Sequence, residues 1–256
     1  MIDRYINNKI NAIWNDQNRF DTWKLIQEKY VETLEELKIA EAGIAKKIRK
    51  AEISKEEVYK QEKVTNHDLA SFVDILQKKV GEGSNWIHYG LTSSDIVDSA
   101  NSLLIIQSIE VAQELILNLL KELKLKAIKN KDTKIIGRTH GVYAEETFLG
   151  NIFGNWYLEI KRSLDRLERA KVSIAYGKLS GPVGNHTVVT EEMEKITLEK
   201  LGLKPEIFAS QIVSRDRYAE VFTSLSILAS TYERISTNLR SYQRSEISEM
   251  YEPFKD

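Results

Sequence analysis

The sequence predicts an all-α protein: a small helical domain over residues 1–93, followed by the long helices of a central bundle over residues 94–256. Three observations carry this reading. Proline occurs only at Pro182, Pro205 and Pro253, so residues 1–181 contain no obligatory helix breaker. From Ser94 to about Asn130 glycine is absent too, while Ile96, Val97, Ala100, Leu103, Leu104, Val111, Leu115 and Leu119 recur at helical spacing. The composition, 42% hydrophobic and 29% charged over 256 residues, supplies a sizeable core and a solvated surface.

Before Ser94 the apolar pattern is short and amphipathic, near residues 9–38 and 54–80, and Gly81, Gly83 and Gly90 close that region. The Ser94 helix adds Ile105, Ile106, Ile109, Ile116 and Leu117, a stripe too wide for one dry face, so more than one neighbour is required to cover it. A second long helix is expected from about Tyr143 to Tyr176, its charged half, Glu159–Lys171, emerging from the bundle. A third is expected from about Arg215 to Met250, where Phe222, Leu225, Ala229, Tyr232, Ile235, Leu239 and Tyr242 follow a near-heptad spacing. At about 1.5 Å per residue such helices are rods of roughly 50 Å, long for one domain and suited to a bundle shared between chains. The run Gly177–Gly184 reads as a glycine-rich connection between helices, since it lacks the lysine–hydroxyl ending of a phosphate loop.

The formal net charge of −1 gives no global attraction to nucleic acid or to an anionic membrane, so neither is expected as a partner. The absence of cysteine removes thiolate nucleophiles and zinc–thiolate sites. The first residues lack the apolar run of a signal peptide, and no stretch approaches the roughly 18 apolar residues of a membrane span. The expectation is a cytoplasmic protein.

Three of the four histidines sit in unusual surroundings. His67, in Thr65-Asn66-His67-Asp68, precedes an apolar helical run that Thr65 or Asn66 would cap; it is either a surface histidine beside a cap or a site group. His88 opens His88-Tyr89-Gly90-Leu91-Thr92-Ser93-Ser94-Asp95, which supplies more hydroxyls and carboxylates than one N-cap uses. The surplus is either ordinary loop polarity or a seat for a carboxylate or phosphate at the helix start. His140, in Gly137-Arg138-Thr139-His140-Gly141, is bracketed by glycines and accompanied by an arginine donor, which is more site-like than structural. His186, in Gly184-Asn185-His186-Thr187, reads as a loop histidine. No two histidines have metal-ligand spacing, which leaves acid–base work on an anionic substrate.

Taken in order, Arg4-Tyr5, the His67, His88 and His140 segments, and Gln211 followed by Arg215-Asp216-Arg217 resemble the successive motifs of the adenylosuccinate lyase family, within the fumarase/aspartase superfamily. The resemblance covers the whole chain. It implies a helical homotetramer with each active site built from three subunits, no metal or organic cofactor, and small purine nucleotide substrates. The implied reaction is β-elimination of fumarate from adenylosuccinate, giving AMP, and from the succinylated aminoimidazole carboxamide ribotide. By the same resemblance His140 is the general acid, with His67 the other candidate for that role. Thr139, Thr92 and Ser93 would bind succinyl carboxylates, while Asp68 and His67 would position the substrate. Arg4 and Tyr5 would hold phosphate, Gln211 would orient the substrate, and His88 would assist binding. Asn66, Tyr143 and Glu146 depart from many relatives, which carry a basic residue, a histidine and a proline there. The family's mobile loop, whose serine is the base, follows the point that Asp256 occupies, so residues 1–256 by themselves are expected to be inactive. The competing readings are another lyase of the superfamily, such as argininosuccinate lyase or fumarase, and a non-catalytic helical oligomerisation module.

Overall fold

The computed structural model describes residues 3–252, so Pro253 lies outside the described residues. Its element order is a 3-10 turn (Asp3–Tyr5), α1 (Asn8–Trp14), α2 (Asp16–Glu36), α3 (Ile44–Lys50), α4 (Lys55–Thr65), α5 (Asp68–Val80), a 3-10 turn (Ser84–Trp86), α6 (Ser93–Lys129), β1 (Lys134–Thr139), β2 (Val142–Phe148), α7 (Leu149–Ile174), β3 (Tyr176–Gly177), α8 (Glu191–Lys200), β4 (Lys204–Pro205) and α9 (Asp216–Tyr242). The mainly helical class is as expected. The chain forms two compact units, one of residues up to Ser108 together with Ser173–Asp216, the other of Ile109–Val172 with the residues from Arg217 onward. The division between these two units falls inside α6, between Ser108 and Ile109.

In the first unit α2 is the central helix. Asn15 caps it through a side-chain bond to Asn18 N, and Phe20, Trp23, Ile26, Tyr30 and Leu34 form its buried stripe at helical spacing. Phe20, Trp23 and Phe72 of α5 meet with ring centroids 5.3–6.1 Å apart. Each such side chain contributes roughly 1.5–3 kcal/mol by leaving water. Ser54 and Glu57 form a reciprocal capping box at α4. Asn66 then turns the chain into α5 in the left-handed region, φ 54°.

In the second unit β1 and β2 form an antiparallel hairpin, with a bulge between Ile136 and Arg138. The helix expected from Tyr143 therefore begins only at Leu149, because the β-formers Val142, Tyr143, Thr147 and Phe148 pair with β1. Gly150 allows the entry to α7, since a Cβ there would stand 2.6 Å from Ala127 O. The charged half of α7 does not emerge: Ile160, Ser163, Leu167 and Ala170 keep one face buried, and Lys171 pairs with Glu110 at 2.8 Å. The final helix stops at Tyr242, short of the expected Met250, and Ser248 enters the left-handed region beyond it.

By length and composition alone α6 is long and apolar enough to cross a membrane, contrary to the expectation that no stretch approaches such a span. Its first part nevertheless buries Asp95, Asp98, Ser99 and Ser102, each bonded to polar partners within the first unit. That is the pattern of a protein-core helix. Its later part buries Ile109, Ile116, Leu120 and Leu123 but leaves Leu115, Leu117, Leu125 and Ile128 more than half exposed.

Candidate active site

The start of α5 and the start of α6 bring two of the predicted segments together. His67, not Thr65 or Asn66, is the N-cap of α5, because Asn66 is already committed to ending α4. Its Nδ1 lies 3.4 Å from the Ala70 N–H and 3.4 Å from Asp68 Oδ1. A neutral ring accepts from the first, whereas an imidazolium pairs with the second, so this residue has a partner in either protonation state. On its far side Nε2 stands 3.3 Å from Ser93 Oγ, at the first residue of α6. A half-exposed imidazole and a hydroxyl thus face each other at a helix N-terminus, where unpaired N–H groups favour negative charge.

Asp95 accepts the Thr92 N–H through Oδ2 at 2.9 Å, which satisfies a donor at the helix start and leaves the Thr92 and Ser93 hydroxyls outside that bond. The same carboxylate is fully buried against the Lys178 ammonium, which donates to Oδ1. Burial pushes the Asp95 carboxyl above its ordinary value, while the Lys178 hydrogen bond and charge oppose that rise.

His88 is held from α2. Its backbone N–H donates to Gln27 Oε1 at 3.0 Å, which fixes the orientation of the amide, so Gln27 Nε2 must donate to His88 Nδ1 at 2.9 Å. The ring proton is therefore on Nε2. Burial first, then the nearby charge of His67, lowers the His88 pKa to about 4, so this ring is neutral near pH 7. Its backbone is left-handed, φ 64°, and Tyr30 OH clamps the next carbonyl, Tyr89 O, at 2.8 Å.

Thr139 and His140 belong to the second unit. Thr139 pairs with Val142, so His140-Gly141 is a two-residue loop with φ 58° and 77°, the positive pair that a type I′ turn demands. This explains the glycine after the histidine and leaves the imidazole exposed at the hairpin tip. Arg138 is not free to hold an anion as its motif suggested, since Glu249 takes it in a two-bond fork at 2.9 and 3.0 Å. Arg4 and Tyr5 form an exposed pair in the 3-10 turn, the guanidinium 5.0 Å from the ring centre, and Gln211 is exposed in the loop before α9. Arg215 is anchored on buried Asp98 at 3.0 Å. The loop histidine His186 has a partner after all, Glu194 of α8, at 3.0 Å. Among the described residues no three His, Asp or Glu side chains cluster as a metal site would need.

Sequence reasoning missed Gln27, Lys178 and Glu194. Gln27 carried a visible signal: it falls on the apolar stripe of α2 between Trp23 and Tyr30, where an uncharged polar group needs a specific partner. Lys178 carried none, because a lysine between loop glycines is ordinarily solvated.

The lyase family profile matches residues 7–255. The chain is 40% identical to an adenylosuccinate lyase of Thermotoga maritima over 100% of its own length and 59% of that protein's, and 39% identical to one of Aquifex aeolicus over 99% and 59%. It thus spans about three-fifths of the curated relatives it matches. Among solved structures, a fumarate lyase from a Mesorhizobium species superposes with TM-score 0.91 at 20% identity, covering 96% of this chain and 60% of that one. A β-carboxy-cis,cis-muconate cycloisomerase from Acinetobacter calcoaceticus gives 0.89 at 19%, covering 98% and 61%. These last two establish the fold alone. With its profile matched almost end to end, the chain belongs to the lyase family of the fumarase/aspartase superfamily.

Proposed function

We propose that the protein carrying this chain is an adenylosuccinate lyase, releasing fumarate from adenylosuccinate to give AMP and from the succinylated aminoimidazole carboxamide ribotide. The observation that carries this reading is the His67–Ser93 contact at the start of α6, a seat for a carboxylate beside a group able to hold a proton. In the proposed reaction a base removes the proton from the carbon next to a succinyl carboxylate. The C–N bond then breaks, its electrons pass to the nitrogen, and an acid protonates that nitrogen.

His140 is proposed as the acid, and its exposure on a rigid two-residue turn supports that role. Thr92, Ser93 and Thr139 would bind the carboxylates, and His67 with Asp68 would position the substrate. His88, kept neutral, would donate from Nε2, while Arg4, Tyr5 and Gln211 would hold the nucleotide portion. The more than half-exposed apolar residues of α6, with exposed Phe222 and Ile227 on α9, support a homotetramer whose shared core covers them. The division into an N-terminal domain of residues 1–93 and a bundle domain from residue 94, and a cytoplasmic location, belong to the same proposal.

The test is an elimination assay on the protein as its gene encodes it, with adenylosuccinate and argininosuccinate offered separately. Fumarate from adenylosuccinate alone supports the reading. Fumarate from argininosuccinate alone transfers the chain to another lyase of the superfamily. No elimination from either, together with no binding of AMP or fumarate by calorimetry, leaves a helical assembly module.

A further inference from the structure

The Lys178–Asp95 ion pair has no part in the chemistry above, yet it is the most deeply buried charge pair in the first unit: both side chains are fully enclosed. Both oxygens of the Asp95 carboxylate are engaged, with Lys178 Nζ on Oδ1, and Thr92 N at 2.9 Å and Gly181 N at 3.2 Å on Oδ2. The ammonium also donates to Gly181 O at 2.8 Å. Nothing in this arrangement can move alone. A Cβ at Gly177 would lie 2.8 Å from both Ser99 Oγ and Leu198 Cδ2, so the loop backbone is pressed against α6 and α8. Glu194 of α8 pins the other side of the loop, accepting Leu179 N at 2.7 Å and facing His186 at 3.0 Å. The segment carrying His88 rests on the same loop, since a Cβ at Gly90 would come within 2.5 Å of Val188 Cγ1.

We infer that Lys178 is a positioning residue: through Asp95 it fixes the Thr92–Ser93 start of α6, and with it the Ser93–His67 contact on which the carboxylate seat depends. The inference rests on the reading of that contact as the site. A buried carboxylate accepts two backbone N–H groups firmly only while it is ionised, and in this enclosure it stays ionised only with a cation beside it. The groups that face it are Lys178 from the loop and Tyr30 from α2, whose phenol burial raises, so the lysine is the cation that does this. Chemistry at the exposed imidazole is thereby tied to a charge hidden behind the helix.

The experiment is Lys178→Met in the protein as its gene encodes it. For adenylosuccinate, kcat/KM should fall about 100-fold, the cost of displacing a binding group by about an ångström. The pH profile should also change. Without its cation Asp95 is tolerated only while protonated, so activity should fall further as pH rises, a limb that the wild-type protein lacks. Adding Asp95→Asn should remove that limb while turnover stays slow, and this double variant carries the comparison where K178M does not fold. Wild-type kcat, KM and pH profile in K178M, or in the double variant, overturn the inference and reduce the pair to a structural role. Absence of elimination by the wild-type protein sinks the proposed function instead. The inference is then read from the His67 ring ¹⁵N resonances, which should shift in K178M as the Ser93 contact loosens and which overturn it if unchanged.

Discussion

Replacing Gln27 by Leu should destabilise the first unit and raise the midpoint at which His88 titrates. Gln27 is fully buried and forms both halves of a reciprocal contact, accepting His88 N–H at 3.0 Å and donating to its Nδ1 at 2.9 Å. Leucine nearly preserves the volume but satisfies neither group. Two buried polar atoms without partners cost about 1–3 kcal/mol each, so the expected loss, allowing for some water entry, is roughly 2–4 kcal/mol. Urea unfolding followed by tryptophan fluorescence measures it, because Trp23 is buried in the same core. A second readout is the titration of the His88 ring by NMR. In the wild-type fold its midpoint should lie near 4, below the ordinary 6.5, with burial the first cause and the charge of His67 the second. The sign follows directly: neutral His88 contributes stability that is complete above pH 6.5 and is lost as pH falls from 6.5 through 4, about 3 kcal/mol in all. In Gln27→Leu the neutral ring loses its donor, so the midpoint should rise and the acid-side loss should shrink. A urea stability within about 0.5 kcal/mol of wild type, the scatter of harmless surface changes, together with an unmoved titration would refute the argument.

In the gene-encoded protein, His140→Gln should lower kcat by about 10²–10⁴-fold, the range for a lost general acid, with KM little changed; steady-state kinetics showing an unaltered kcat would reassign the acid. Gly184→Ala should cost at least about 1–2 kcal/mol, because φ is 74° and the new Cβ would meet Ala209 O at 2.1 Å, and thermal unfolding would show it. Glu at both Leu117 and Leu125 should change chain stability by no more than about 0.5 kcal/mol, since both are exposed, yet abolish self-association in analytical ultracentrifugation. An intact oligomer in that variant would remove this face of α6 from the proposed interface.

The helices were legible in the sequence because their signals are local. An absence of proline and apolar residues at a 3.6 spacing decide helix formation with no knowledge of neighbours. The hairpin was not, because Val142-Tyr143-Ala144-Glu145-Glu146-Thr147-Phe148 is compatible with a helix until β1 supplies its pairing partner. Nor was the end of α9: the near-heptad pattern ends with the helix at Tyr242, but no glycine or proline before Pro253 marks the stop.

By itself the sequence determined the helical class and the order of the histidine segments, because these rest on periodicity and residue type. Only the tertiary structure decided which polar groups meet. It made His67 rather than Thr65 the cap of α5, turned Arg138 to Glu249, and hid Lys178 against Asp95 and Gln27 against His88. The reason is physical. A buried polar side chain is stable only beside a partner that satisfies it, and these partners lie 61 to 111 residues away, or on an element that had to end before the next could begin.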